Sequence, residues 1–319
     1  MPRIFLYEHL TATGNGHDPL YREGLAMRDA IAADFRTNED YDVAFFKGGD
    51  ETAFEAQCRA ADFTLIIAPE FDGILARLTS IAERTSTCNL GSQHRGVVLC
   101  ADKLALSRHW QTHGIPTPPT HRLADWPRDT FPAVFKPRYG AGSTATYLAK
   151  CAEDYENAAA EPWEMLAQPH VAGLSASISL IICESQIVAL MPSMQLISDN
   201  GRLKYLGGRM PLPALLANRA ESLAVRAVKC VPGLRGYVGI DLILGYAESS
   251  CDDFAIEINP RLTTSYVGLR ALAMHSIGDA ILAAACNRIV PNFAWRNASV
   301  TFRPDGGVTV TESGNLERF

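Results

Sequence analysis

Three oxygen-bearing side chains are spaced to converge on one side of a sheet. Asp241 lies in the apolar run GYVGIDLILG, and Glu257 and Asn259 stand two apart in the next one, DDFAIEINP. Side chains two apart on a strand share a face. Ala255, Ile256 and Ile258 surround the pair with apolar residues, which argues against the alternative of a solvated strand edge whose acids face water. Carboxylate and amide oxygens suit a hard cation such as magnesium, which also takes phosphate oxygens and water. Arg261 follows directly, and a planar guanidinium suits phosphate or carboxylate.

A second group precedes these. Lys136 ends an apolar stretch and is followed by Gly140, Ala141, Gly142, Ser143 and Thr144. Glycines let backbone amides approach phosphate, and lysine supplies it with a point charge. The segment is not a Walker loop, because its lysine precedes the glycines and GxxxxGK[ST] is absent. Glycine-bearing hairpins also occur without any ligand. Lys103 follows Asp102 at the start of a helix, and Lys204 sits in GRLKYLGGRMPLP, which reads as a loop. Each alone reads as a solvated surface lysine. Their value lies in the order Lys103, Lys136, Lys204, Asp241, Glu257, Asn259, Arg261.

The elements that must position these residues fall into two parts. Up to about residue 95, apolar strands alternate with helical patterns at 19–35, 50–61 and 71–84, as in a small open α/β domain. The strand runs are RIFLYE, YDVAFFKG and DFTLIIAPE, and TATGNGHDP reads as a loop after the first. Beyond GIPTPPT come short strands with turn signals, a helix at 214–230, the two site strands, a helical region at 263–288 and a polar tail. The expected domains are 1–98 and 99–319, the latter with lobes at about 99–166 and 167–319. The chain of 319 residues is 47% hydrophobic and 20% charged, which argues against a disordered or coiled-coil protein. Its formal charge of −6 is a poor match to nucleic acid, although a local basic cleft is compatible with it. No apolar run approaches about 18 residues, so no transmembrane helix is expected. The eight cysteines form no CxxC and are scattered through apolar segments, which reads as buried free thiols of a cytoplasmic protein.

From about residue 91 to 272 this order of residues resembles the ATP-grasp superfamily. The resemblance implies an ATP-grasp fold behind a small Rossmann-like open α/β domain, with α+β lobes holding ATP between them. Lys103 and Lys136 would contact phosphates, and Gly140, Gly142, Ser143 and Thr144 would cover them. Lys204 would approach the transferred phosphate, and Asp241, Glu257 and Asn259 would hold magnesium, with manganese as an alternative. Arg261 would reach phosphate or an acyl phosphate. LAQPHVAG resembles the hinge that binds adenine, with Gln168 where a glutamate is common, Val171 lining the base and Ser175 where a ribose-binding acid often stands.

The resemblance implies a ligase that makes an amide through an acyl phosphate, without nucleic-acid or membrane partners. IFLYEHLTATG, IIAPEFDGIL and EINPRLTTSYVGL are similar to the branch of tyramine–glutamate ligases. That branch implies joining glutamate to tyramine or tyrosine in methanofuran-type cofactor synthesis. Glu8 and Glu70 each end a strand where open α/β sheets bind ligands, and either would contact an amine. Strand-end capping or a solvent-facing position explains them equally well. Thr263 and Thr264 would cap the helix they open or offer amides to a substrate carboxylate. Tyr266 reads as a core residue or a stacking partner for an aromatic substrate. A homodimer through the apolar face near 71–84 is compatible with the sequence. The competing readings are ligation of a different amino acid, phosphorylation of a small molecule, and a non-catalytic nucleotide-binding regulator on the same fold.

Overall fold

The structure is a computed structural model that describes residues 1–312 apart from 38, 39, 47 and 248. The first sheet is parallel, in the order β2-β1-β3-β4, with β1 Arg3–Glu8, β2 Asp42–Phe45, β3 Phe63–Ile67 and β4 Cys88–Asn89. Its connections are the helices α1 His9–Thr13, α2 Tyr21–Thr37, α3 Glu51–Arg59 and α4 Ile74–Glu83. The expected strand over 41–48 is thus shorter, and residue 47 lies outside the described residues. Part of the expected loop after β1 is α1, because Glu8 caps it, accepting from the amides of Leu10 and Thr11. The apolar face of α4 (Ile74, Leu75, Leu78, Ile81) is buried against the protein's own first sheet. That face therefore offers no surface to a second copy, which corrects the basis for the expected dimer.

Helices α5 His94–Ala101 and α6 Lys103–Thr112 lead to a four-stranded antiparallel sheet, β5-β8-β6-β7. Its strands are β5 His121–Arg122, β6 Ala133–Pro137, β7 Tyr147–Ala149 and β8 Met165–Pro169, with α7 Ala152–Ala159 packed on it. The largest sheet is antiparallel and runs β14-β13-β9-β11-β12-β15-β16, with β10 on the free part of β9. Here β9 is Leu174–Ile182, β10 Ile187–Ala189, β11 Ser193–Ile197, β12 Tyr205–Met210, β13 Gly236–Leu244 and β14 Phe254–Asn259. Helix α8 Ala214–Lys229 covers one face. Helices α9 Ser265–Leu272 and α10 Ile277–Ala285 cover the other, in a core shared with α2 and the first sheet. The site therefore lies on a frame whose apolar interior is continuous from residue 4 to residue 302.

Two further segments differ from the sequence expectation. YLGG of KYLGG is not a loop but the start of β12, and the tail holds the hairpin β15 Ala298–Phe302 with β16 Val308–Glu312. Residues 313–319 of the tail lie outside the described residues. The glycines misled because they serve close packing rather than a turn. A Cβ on Gly207 would stand 2.1 Å from the Phe302 carbonyl oxygen, and one on Gly208 2.5 Å from its ring. Phe302 is fully buried. Phe302→Ala is expected to lower stability by about 3–5 kcal/mol, read from urea unfolding; a loss under about 1 kcal/mol would mean that the hairpin is not part of the core.

Candidate functional site

One cavity of about 300 Å³ opens between the two antiparallel sheets. Its floor is β13 and β14, whose pairing sets Asp241 opposite Glu257 and Gly239 opposite Asn259. Asp241 accepts from Gln195 Nε2 at 2.9 Å and from Asn259 Nδ2 at 3.3 Å. Lys103 reaches in from the first turn of α6, which Asp102 caps by accepting from the amides of Leu104 and Ala105. Its Nζ donates to the Gly140 carbonyl at 2.9 Å and lies 3.6 Å from Glu257 Oε2. Lys136, at the end of β6, is 5% exposed and lines the same cavity.

Burial dominates the electrostatics of these groups. It pulls the Lys136 amine down from 10.5 to about 8, against the attraction of Glu257. It pushes Asp241 up to about 8, and the charge of Glu257 adds to the effect. Burial pushes Glu257 up too, but Lys103 and Lys136 overcome it and hold that carboxyl below its ordinary value. Two half-buried acids side by side oppose each other's ionisation, and the two lysines favour the charge on Glu257.

The roof is the turn after β6. Gly140, Gly142, Ser143 and Thr144 all line the cavity. Gly142 has φ +68°, and a Cβ there would stand 2.5 Å from the Leu20 side chain, so the loop rests against the first domain. The far wall carries Gln168, Val171 and Ser175 beside apolar Val134 and Ile256. Gln168 is buried and donates to Thr120 Oγ1 at 2.6 Å.

Arg261 lines the cavity with its guanidinium clamped by Glu70, at 2.9 and 3.0 Å to the two carboxylate oxygens. Glu70 does not line the cavity, and this clamp corrects its reading as an amine contact. Glu8 does not line it either: it caps α1 and is packed against Gly24, although it borders a smaller hollow shared with Glu23 and Arg261. Thr263 and Thr264 line the cavity, but neither side chain caps α9. The Thr264 hydroxyl donates to Glu23, and Thr263 joins a hydroxyl cluster with Tyr237 and Ser265. Tyr266 is fully buried and donates to Asp34, as a core residue does. Lys204 is exposed and lies outside the cavity, which its neighbours Leu203 and Tyr205 line. The cause is strand alternation: backbone pairing of Lys204 with Ser198 continues the β11–β12 ladder and turns the ammonium outward.

Glu23 and Gln195 were missed by sequence reasoning. Glu23 lies in the first turn of α2, where an acid reads simply as a partner of the helix dipole. In the structure it faces the cavity, and burial raises its carboxyl. Gln195 reads as one more polar residue of a half-buried strand.

Residues 100–265 match the ATP-grasp domain model, and residues 25–97 match the pre ATP-grasp 3 domain. The chain belongs to the ATP-grasp family. It is 31% identical over 209 residues to a tyramine–L-glutamate ligase of Methanocaldococcus fervens, covering 66% of this chain and 62% of that protein. It is 29% identical over 190 residues to a D-alanine–D-alanine ligase of Ralstonia pickettii, covering 53% and 56%. The matches thus span less than two thirds of these relatives. Among solved structures, one from Archaeoglobus fulgidus described within the ATP-grasp superfamily superimposes with a TM-score of 0.74 at 26% identity, covering 94% of this chain and 92% of that one. Among the described residues of this ATP-grasp protein, no helix is long and apolar enough to cross a membrane.

Proposed function

We propose that this ATP-grasp protein is a cytoplasmic, ADP-forming carboxylate–amine ligase that uses ATP and magnesium, with glutamate as carboxylate and tyramine or tyrosine as amine. The observation that carries the reading is the convergence of Lys103, Lys136, Asp241, Glu257, Asn259 and Arg261 on one cavity beneath a glycine-rich loop. The likeness to two amide-forming ligases supports it, and its link to methanofuran-type cofactors rests on the tyramine–L-glutamate ligase alone.

The donor set fits magnesium. Asp241 and Glu257 offer hard oxygens, and Asn259 offers its amide oxygen if the group turns over, since amide orientation follows its hydrogen-bond partners. The upward pull of Glu257 on the Asp241 carboxyl marks a place where a cation relieves the repulsion of two neighbouring carboxyls. Magnesium, or manganese in its place, would neutralise phosphate charge there.

The remaining work belongs to the chain's own groups. Lys103 and Lys136 bind triphosphate oxygens, and the amides of the 140–144 loop cover them. Gln168, Val171 and Ser175 hold the nucleoside. A substrate carboxylate oxygen attacks the γ-phosphorus, the bond to the ADP oxygen breaks, and an acyl phosphate forms. Arg261, held by Glu70, stabilises the charge on the transferred group. The amine then attacks the acyl carbon, phosphate leaves, and a proton is lost as the amide forms. The covering loop keeps water from the acyl phosphate.

The test is ADP release from ATP and magnesium with L-glutamate and a panel of amines. Release requiring both glutamate and an aromatic amine, with a product of matching mass, is the expected result. Release without any amine would replace the ligase with a kinase. Dependence on another amino acid would keep the ligase and reject glutamate.

A further inference from the structure

The end of α6 remote from Lys103 meets the end of α8. His109 and His113 lie one helical turn apart there, their ring centroids separated by 4.2 Å, and Cys230 is the C-cap residue of α8. A nitrogen of each ring and the Cys230 sulfur lie within 4.8 Å of one another. The two helix ends are docked by Trp110 Nε1, which donates to the Ala227 carbonyl at 3.0 Å.

The hydrogen bonds set the state of both rings. His109 Nε2 lies 2.7 Å from the Cys230 carbonyl, which only accepts, so Nε2 donates and Nδ1 is the nitrogen left for a ligand. His113 Nδ1 lies 2.8 Å from the His109 carbonyl and donates to it, which leaves Nε2 for a ligand. Imidazoles that bind metal are held in this way, one nitrogen donating to a carbonyl and the other free. Two helix C-termini also converge here, and their carbonyls favour a cation.

We propose that His109, His113 and Cys230 bind one divalent transition-metal ion of the zinc class, with a fourth position open to solvent. Imidazole nitrogen and thiolate select such an ion over magnesium. Binding exchanges the thiol proton for the metal–sulfur bond, and no redox partner is involved. Bond lengths of about 2.0 Å to nitrogen and 2.3 Å to sulfur place these tetrahedral ligands roughly 3.3–3.6 Å apart, so the side chains close in by up to about 1.5 Å and the rings turn their free nitrogens to the ion. His113 is exposed at the helix end and has room to do so. The ion would pin α6 to α8, roughly 9–15 Å along the α6 axis from Lys103. The inference does not depend on the proposed ligase reaction.

The test is a cobalt(II) titration of the full chain, freed of metal by a chelator and then kept in excess magnesium so that oxygen sites are filled. One cobalt ion should bind with a thiolate-to-cobalt charge-transfer band and the visible bands of a tetrahedral centre, and zinc should remove both. Cys230→Ser should abolish the charge-transfer band while keeping the thermal unfolding midpoint, because among the described residues the sulfur donates only to the Ala227 carbonyl. His113→Ala, at an exposed position, should weaken cobalt binding by about tenfold or more. No charge-transfer band at millimolar cobalt would overturn the site. A band that persists in Cys230→Ser would also overturn it, by assigning the ion to another cysteine such as exposed Cys151, Cys251 or Cys286.

Discussion

Replacing Glu257 by glutamine is expected to lower turnover by about a thousandfold or more, which is about 4 kcal/mol of transition-state stabilisation. The replacement keeps size and shape and removes one charge. Glu257 is the acid that Lys103 and Lys136 hold ionised, so it supplies the standing negative charge of the floor. Without it the two lysines face a neutral amide, and a cation loses one of its two carboxylates. The fold should persist, because losing the charge also relieves Asp241, whose carboxyl is pushed up partly by Glu257. ADP release and the magnesium dependence of nucleotide binding are the measurements, with an unfolding curve as control. Normal turnover with an unchanged magnesium requirement would sink the metal assignment.

Glu70→Ala is expected to cost about 3–5 kcal/mol of stability, because it leaves the Arg261 guanidinium buried without its partner. Both side chains are largely shielded, and both guanidinium–carboxylate bonds are short and well aligned. The released Arg261 would lose its fixed direction in the cavity, so turnover should fall together with stability. Had Glu70 been an amine contact, the variant would raise the KM for the amine alone and leave unfolding unchanged. A urea midpoint measured beside the kinetics separates the two. Glu70→Gln keeps one acceptor oxygen for Arg261 and should recover part of both losses, which a simple packing defect would not allow.

Much of the candidate site was legible in the sense that residues with strong local signals line one cavity. Glu257 and Asn259 sit two apart in an apolar strand, where polar side chains sharing a face require a reason. Asp102 before Lys103 is a helix start that sequence alone predicts, and the structure makes it the cap of α6. Gly142 precedes a turn that needs positive φ. The misreadings share a different cause. Lys204 has the right residue type, but its pairing with Ser198 in the β11–β12 ladder turns it outward; Glu70 has the right type too, but its direction is set by Arg261, far away in the chain. Gly207 and Gly208 look like a turn and are instead the space that Phe302 fills from nearly a hundred residues later.

By itself, the sequence determined the alternating elements of the first domain, the apolar strands of the second, and the order of charged residues that marks the family. These follow from periodicity, capping and spacing, which act over a few residues. Tertiary structure alone decided that Glu70 clamps Arg261, that Glu23 and Gln195 face the cavity, and that His109 and His113 meet Cys230. Each of these contacts joins segments between 46 and 241 positions apart. Such contacts depend on how sheets and helices pack, and local preference does not encode it.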